Sequence, residues 1–397
     1  MRVLVVIDHR FDRTPDGAVW TQTMFTPSYW QRYLDVFEQV MVVARVRPVA
    51  QALPDWVQVN TGSISVQALP YYLGPWEYLQ RQHQVMTAAR NAFVQGDAVL
   101  FYSASPPAQA IAKRLQSLRY PYGVYVIANP YDVFSPGAVR TPLRPFFQWW
   151  APRQLRSLCL KASAAAYITE AALQQQYPPG PTAYVTHYSM AELTDDVFVQ
   201  EPRTFNANQT TWTLITVGAM SQLYKAQDIL IVAIAQCIRQ GLDLRLVFVG
   251  DGQYRAMLEG QANRLGIGDR CQFCGQLTTG SAVREQLDRA DLFVLPSRQE
   301  GLPRAMLEAM ARGLPCLGST VGGIPELLLP EDTVPPADIP RLAAKIQEMV
   351  TDPDRLSRTA ARNLQRAQDF REICIQAQRG AFYKTLRQQT ETWNRPS

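Results

Sequence analysis

Residues 295–328, LPSRQEGLPRAMLEAMARGLPCLGSTVGGIPELL, constrain the fold more than any other stretch of this chain. Asp291 to Leu295 is a short apolar run closed by Pro296, the pattern of a buried strand. Pro303 stands where a first helical residue belongs, and Gly313 followed by Pro315 closes that helix. Met306, Ala309, Met310 and Gly313 share its apolar face, while Arg304 and Glu308, four residues apart, share the polar one. Leu302 has no side-chain oxygen to cap the helix. Gly322, Gly323 and Ile324 likewise lead into Pro325 and Glu326 without a Ser, Thr, Asp or Asn. The reading is therefore strand, loop, helix, strand, glycine loop and a second helix start. Two helix N-termini with unclaimed N–H groups are expected at the carboxyl edge of a parallel sheet, where phosphates and other ligands bind in open α/β folds.

The same order of residues resembles the donor-site signature of the group-1 (GT4) glycosyltransferases. It runs Glu300-x7-Glu308, then Ala309-Met310-Ala311-x-Gly313-x-Pro315, then Gly322-Gly323-x-Pro325-Glu326. The resemblance implies a GT-B fold, two doubly wound Rossmann-like α/β domains facing a cleft. It also implies transfer of a sugar from a UDP- or GDP-type donor to a glycan or lipid-linked acceptor with retained configuration. By resemblance Glu300 takes the donor sugar and Glu308 the ribose. Gly301, Leu302 and Arg304 supply donors at the helix start, because Pro303, at a position often Gly in the family, has no N–H. The two carboxylates suit an elongated metabolite, since Glu308 lies about 7.5 Å along the axis from Pro303 at ~1.5 Å per residue.

The remainder of the chain alternates strand-like and helical stretches, which predicts parallel sheets. Val3–Ile7 reads as a central strand, with His9 and Gly17 in the loop expected at its carboxyl edge. The family has a glycine-rich loop there, and this sequence offers only Gly17-Ala18. Further strands are expected at 98–102, 124–127, 164–169 and 183–186. After Ile127, Asp132 either polarises an acceptor hydroxyl or forms an Asx turn before Ser135-Pro136-Gly137. His9 is a second candidate in that lobe, and His187 stands near the interdomain link. His83, inside a polar helix, reads as exposed. In the second half, Gly218 ends a strand and Lys225 follows. The resemblance puts Lys225 on the donor diphosphate, with Ala219 where an Arg is expected and Arg298 or Arg304 as its substitutes. Gly275 and Leu277 fall where the family holds the nucleotide base. The expected layout is residues 1–190 on the acceptor side, a polar link at 191–210, a nucleotide-sugar domain at 211–372, and a C-terminal helix at 373–397 crossing back to the first domain.

Composition narrows the alternatives. The 397 residues suit two domains, and 47% hydrophobic with 18% charged residues is ordinary for globular chains. The net charge of +5 fits phosphate-bearing ligands, and no nucleic-acid motif accompanies it. No run of about 18 apolar residues predicts a membrane span, and the charged start reads as a strand, so a cytoplasmic protein is expected. Residues 139–161 interleave Arg140, Arg144, Arg153, Arg156 and Lys161 with Phe146, Phe147, Trp149 and Trp150. That pattern suits either an anionic membrane surface on the inner face or a helix packing its aromatics inward. Cys271 and Cys274 form a lone C-x-x-C on a predicted strand and read as structural thiols. No His/carboxylate cluster with metal-ligand spacing stands near these motifs, so neither metal nor cofactor is expected. The competing readings are a GT-B nucleotide-sugar-binding protein without turnover, and a GT-B phosphorylase or epimerase.

Overall fold

The computed structural model describes residues 1–134, 143–191, 193–277 and 279–395. Two sheets organise them. The first comprises β1 (Arg2–Arg13), β2 (Val19–Thr21), β3 (Gln39–Pro48), β4 (Val57–Gln58), β5 (Ile64–Pro70), β6 (Ala98–Phe101), β7 (Gly123–Val126), β8 (Ala164–Tyr167) and β9 (Tyr184–His187). Its parallel body runs β5-β3-β1-β6-β7-β8-β9, with β2 and β4 paired antiparallel off the far end of β1. The second sheet comprises β10 (Thr211–Val217), β11 (Asp243–Val249), β12 (Cys271–Phe273), β13 (Leu292–Leu295), β14 (Cys316–Ser319) and β15 (Thr333–Val334). Its order is β12-β11-β10-β13-β14-β15, parallel throughout. Each sheet starts at its middle and winds outward in both directions, the doubly wound α/β architecture. The order reverses between β1 and β6 and between β10 and β13, and each reversal leaves a crevice at the carboxyl edge.

Period-two alternation explains why these strands can only be central. In β13, Leu292 and Val294 enter one apolar core while Phe293 and Leu295 enter the other. Both faces are covered, so the strand reads as continuous Leu/Phe/Val rather than alternating with polar residues. The core holding Phe293 and Leu295 also takes in Leu302, Met306 and Ile324, and runs on into the residues under the first sheet.

Two features depart from the expected outline. β1 does not stop at Ile7. After a register shift between Val6 and Arg10 it continues to Arg13 beside Arg45–Pro48. The expected carboxyl-edge loop is thus partly strand. Strand β5, hidden in the mixed sequence ISVQALP, was not foreseen; it is half-buried at the sheet edge and has no clean alternation.

The C-terminal helix Glu372–Asn394 lies against the first sheet. Phe382, Tyr383 and Leu386 are buried there, and the Tyr383 ring stacks on Tyr33 at 4.6 Å. Gln389 Nε2 donates to the Ser163 carbonyl at 3.1 Å, and Arg387 donates to the Val36 carbonyl. The segment joining the sheets is pinned to the second lobe: Val199 N–H donates to Ala311 O at 3.1 Å, and Phe205 N–H to Ser357 Oγ at 3.1 Å.

Candidate active site

The order reversal of the second sheet brings the loop after β10 next to the loop after β13, and their chemistry meets there. Lys225 Nζ donates to Glu300 Oε1 at 2.5 Å, and Ser297 Oγ donates to the same oxygen at 2.7 Å. The Glu300 and Lys225 side chains are only 7% and 15% exposed. A buried carboxylate needs such partners, because an unpaired charge out of water is costly. Ser297 is itself fixed: its carbonyl accepts from Ser319 Oγ at 2.6 Å.

Close backbone approach accounts for the glycines. A Cβ on Gly250 would stand 2.2 Å from Gly218 O, and one on Gly322 (φ +55°) would stand 2.1 Å from Glu300 O. A Cβ on Gly301 would meet the Ile127 carbonyl of the first lobe at 2.9 Å. The Glu300–Gly301 loop therefore sits at the junction of the lobes, directly against the end of β7. Gly275 (φ +71°) accepts from the Gly250 N–H at 2.9 Å, which ties the loop bearing half-buried Leu277 to the same edge.

The helix Arg304–Ala311 starts from Pro303, and no side chain caps it. Glu308, 20% exposed, accepts from Arg304 Nε at 2.9 Å, and Arg304 itself is 68% exposed. Leu302 is buried and its side chain lies beside Gly323.

Three expectations change. Arg298 does not stand free for a diphosphate. Its guanidinium grips Asp228 with two bonds of 2.8 Å and donates to Leu223 O at 2.5 Å, while its N–H donates to Tyr224 O at 2.7 Å. It thereby fixes the short turn Leu223–Lys225, because its planar fork matches the carboxylate of Asp228. Gly17 (φ +87°) forms the hairpin turn between β1 and β2, where its carbonyl accepts from Asn60 Nδ2 at 3.1 Å. The turn follows Arg13 because β1 has continued as strand past Ile7. The second helix start is one turn long, Ile324–Leu327, and Gly323 N–H already donates to Gly301 O at 2.6 Å. Its contribution is a carboxylate instead. Glu326 accepts from the N–H groups of Glu170, Ala171 and Ala172 of the first lobe, at 2.6, 2.9 and 2.7 Å.

Across the junction the first lobe presents two of the named candidates differently. His9 is partly buried against Phe11 and Phe25, with ring centroids 4.6 and 4.7 Å away, and its Nε2 lies 3.3 Å from Thr23 Oγ1. Burial, and then the charges of Arg10 and Arg45, lower its pKa to about 4, so the imidazole is neutral near pH 7. Asp132 lies in the short helix Pro130–Val133, and burial raises its pKa. The residues 135–137 expected to form its Asx turn lie outside the described residues. His187 Nε2 is 3.9 Å from Glu170 Oε1, and His83 is exposed.

Of the basic-aromatic stretch, residues 139–142 lie outside the described residues. The rest forms the helix Arg144–Leu160, which buries Leu155, Leu158 and Cys159 and leaves Phe146 and Trp149 51% and 53% exposed. Among the described residues no helix is long and apolar enough to cross a membrane, and no cluster of three His, Cys, Asp or Glu is placed to hold a metal. The six cysteines are free thiols; burial lifts the Cys271 thiol to about 11. Sequence reasoning assigned no role to Asp228 or Ser297, and it named Glu326 only as part of the glycine-loop motif, without its contacts across the junction. The only advance signals were Asp228 in a first helical turn and Glu326 following Gly-Gly-x-Pro.

Residues 211–352 match the family model described as "Glycosyl transferases group 1". Protein CapJ of Staphylococcus aureus is 23% identical over 359 residues, covering 88% of this chain and 86% of CapJ. A GDP-mannose-dependent monoacylated alpha-(1-6)-phosphatidylinositol monomannoside mannosyltransferase of Corynebacterium glutamicum is 34% identical over 140 residues, covering 33% of this chain and 36% of that one. Anabaena HepE, solved in complex with UDP and glucose, superposes with a TM-score of 0.64 at 17% identity, covering 96% of this chain and 98% of HepE. The second lobe therefore matches the group 1 glycosyltransferase family model over residues 211–352, and the whole chain has the GT-B fold of these solved glycosyltransferases.

Proposed function

We propose that this enzyme moves a sugar from a UDP- or GDP-type nucleotide sugar to a glycan or lipid-linked acceptor, with retained anomeric configuration and without a metal. The observation that carries the reading is the Lys225–Glu300–Ser297 cluster at the order reversal of the second sheet, pressed against Ile127 of the first lobe. A diphosphate laid at the start of the helix Arg304–Ala311 meets the positive end of the helix dipole and Lys225. Both stabilise the charge that grows on the leaving diphosphate as the sugar bond breaks, a transition-state effect. Glu300 then accepts from hydroxyls of the donor sugar, and Glu308, released from Arg304, accepts from the ribose. Arg298 and Asp228 act as positioning residues by holding the Lys225 turn. The acceptor hydroxyl enters from the first lobe, where Asp132, its pKa raised by burial, is the better base and neutral His9 is suited to accept a hydrogen bond from it. Peripheral contact with an anionic membrane through the exposed face of the helix Arg144–Leu160 belongs to the same reading.

A thermal-shift screen of UDP- and GDP-sugars tests it, since a ligand that binds only the folded form raises the melting temperature. Product analysis of the anomeric carbon by NMR then reads the stereochemistry. A melting temperature unmoved by every nucleotide sugar at millimolar concentration would remove the reading.

A further inference from the structure

The order reversal of the first sheet also leaves a crevice, between β1 and the end of β6, and that crevice is not empty surface. It opens into a cavity of about 410 Å³ walled by Ile7–His9 at the register shift of β1, by the ends of β6 and β7 and by one face of the helix Arg144–Leu160. The size falls within the ~300–1,000 Å³ usual for small-molecule pockets. Its walls are apolar: Phe25, Ile127, Phe134, Phe147, Trp150 and Leu155 line it, and His9 stands at one side. Besides Asp8, whose carboxylate is paired with Arg45, two hydroxyls break that lining. The hydroxyls of Ser103 and Ser105 are buried and have no hydrogen-bond partner. Buried polar atoms are nearly always paired, so two orphaned hydroxyls in one cavity point to a ligand with a polar group of its own. The cavity continues in both directions. Ile127, in its wall, presents the carbonyl that touches Gly301 of the donor loop. On the other side Phe147 contacts Phe146, whose ring is 51% exposed beside Trp149. An apolar track therefore runs from an exposed aromatic surface to within reach of the donor loop.

We infer that this cavity holds the apolar chain of the acceptor, with Ser103 and Ser105 bonding the polar group at its head, so that the acceptor is an amphiphile. The inference rests on the acceptor entering through the first lobe, as in the function proposed above, and narrows that acceptor from glycan or lipid-linked to lipid-linked. A free glycan would leave the six apolar walls facing sugar hydroxyls and water. A chain that fills them removes that mismatch and delivers the head group towards His9 and Gly301.

The test titrates the full-length protein with methyl, hexyl, octyl and decyl β-glucoside below their micelle concentrations, using calorimetry. No measurable binding is expected for the methyl compound. Affinity should rise about fourfold per methylene across the alkyl series, with a negative heat-capacity change. Ala151→Trp, which fills the cavity from the helix, should abolish the dependence on chain length while nucleotide sugars still raise the melting temperature. Ala104→Phe fills it from the other side and serves if the first variant does not fold. Ser103→Ala combined with Ser105→Ala should weaken every alkyl compound by a similar factor and leave the slope intact. Affinities independent of chain length, or a slope that survives in a folded, filled variant, would overturn the assignment. Nucleotide sugars that bind while the slope is absent sink the cavity alone. A cavity-dependent slope without any nucleotide-sugar shift supports the cavity and sinks the donor reading.

Discussion

At the scale of single residues, the proposed mechanism rests on one carboxylate and one ammonium group that are paired in the structure. Glu300→Gln and Lys225→Met should each lower kcat by about 10²–10³-fold, the usual cost of removing one preorganised electrostatic group. Steady-state kinetics would expose the error if either variant kept wild-type turnover. Asp228→Asn loosens the Arg298 fork and should reduce kcat less than Lys225→Met. The double variant should add little to Lys225→Met, because both act through one side chain. His9 gives a pH signature. The unfolded chain takes up this proton near 6.5, the folded chain only near 4. Between those values the unfolded state holds the extra proton, so the His9 contribution to stability is complete above 6.5 and drains away as pH falls towards 4. Histidine NMR should show its ring neutral at pH 5; a midpoint near 6.5 would contradict the burial. In the sequence Glu300 and Glu308 stand out together because their spacing is local, whereas Lys225, 75 residues from Glu300, is singled out only by the loop that follows Gly218. The sequence could not show that Arg298 is already occupied, since Asp228 lies 70 residues away and only the fold brings them together.

At the scale of elements, loops touch backbone to backbone, and two glycines separate strain from contact. Gly322 and Gly17 both have positive φ, but a Cβ on Gly322 collides with Glu300 O whereas one on Gly17 meets open space. Gly17→Ala should cost about 1–2 kcal/mol of stability from left-handed backbone strain alone and leave donor affinity untouched. Gly322→Ala should lower both stability and donor affinity, because the Glu300 loop must shift. Calorimetric titration with the donor, beside a denaturant curve, distinguishes the two. Equal donor affinities in both variants would argue against the loop contact. Glu326→Ala removes the acceptor for three N–H groups at the lobe junction, and a loss of about 0.5–2 kcal/mol, as for a helix cap, is expected. The central strands were legible because continuous apolar runs admit no other reading. The far half of β1 was not, since DHRFDR carries charge and forms strand only because Arg45–Pro48 lies alongside. The second helix start misled for a related reason: Gly-Gly-x-Pro announces a helix, yet its N–H is claimed by Gly301 across a gap of 22 residues.

At the scale of the whole molecule, the lobes are joined through the Glu300–Gly301 loop, the Glu326 carboxylate and the C-terminal helix that returns to the first sheet. The stacked Tyr383 and buried Phe382 and Leu386 make that helix part of the first lobe's core. The most direct measurement is calorimetric titration of wild type, Glu308→Ala and Lys225→Met with the nucleotide sugar found by thermal shift, its nucleoside diphosphate and the 2′-deoxy form of that diphosphate. Wild type should prefer the ribose form over the deoxy form. Glu308→Ala should lose that preference, and Lys225→Met should weaken all three ligands while keeping it. Identical ligand profiles in all three proteins would contradict a donor lying along the helix between these groups.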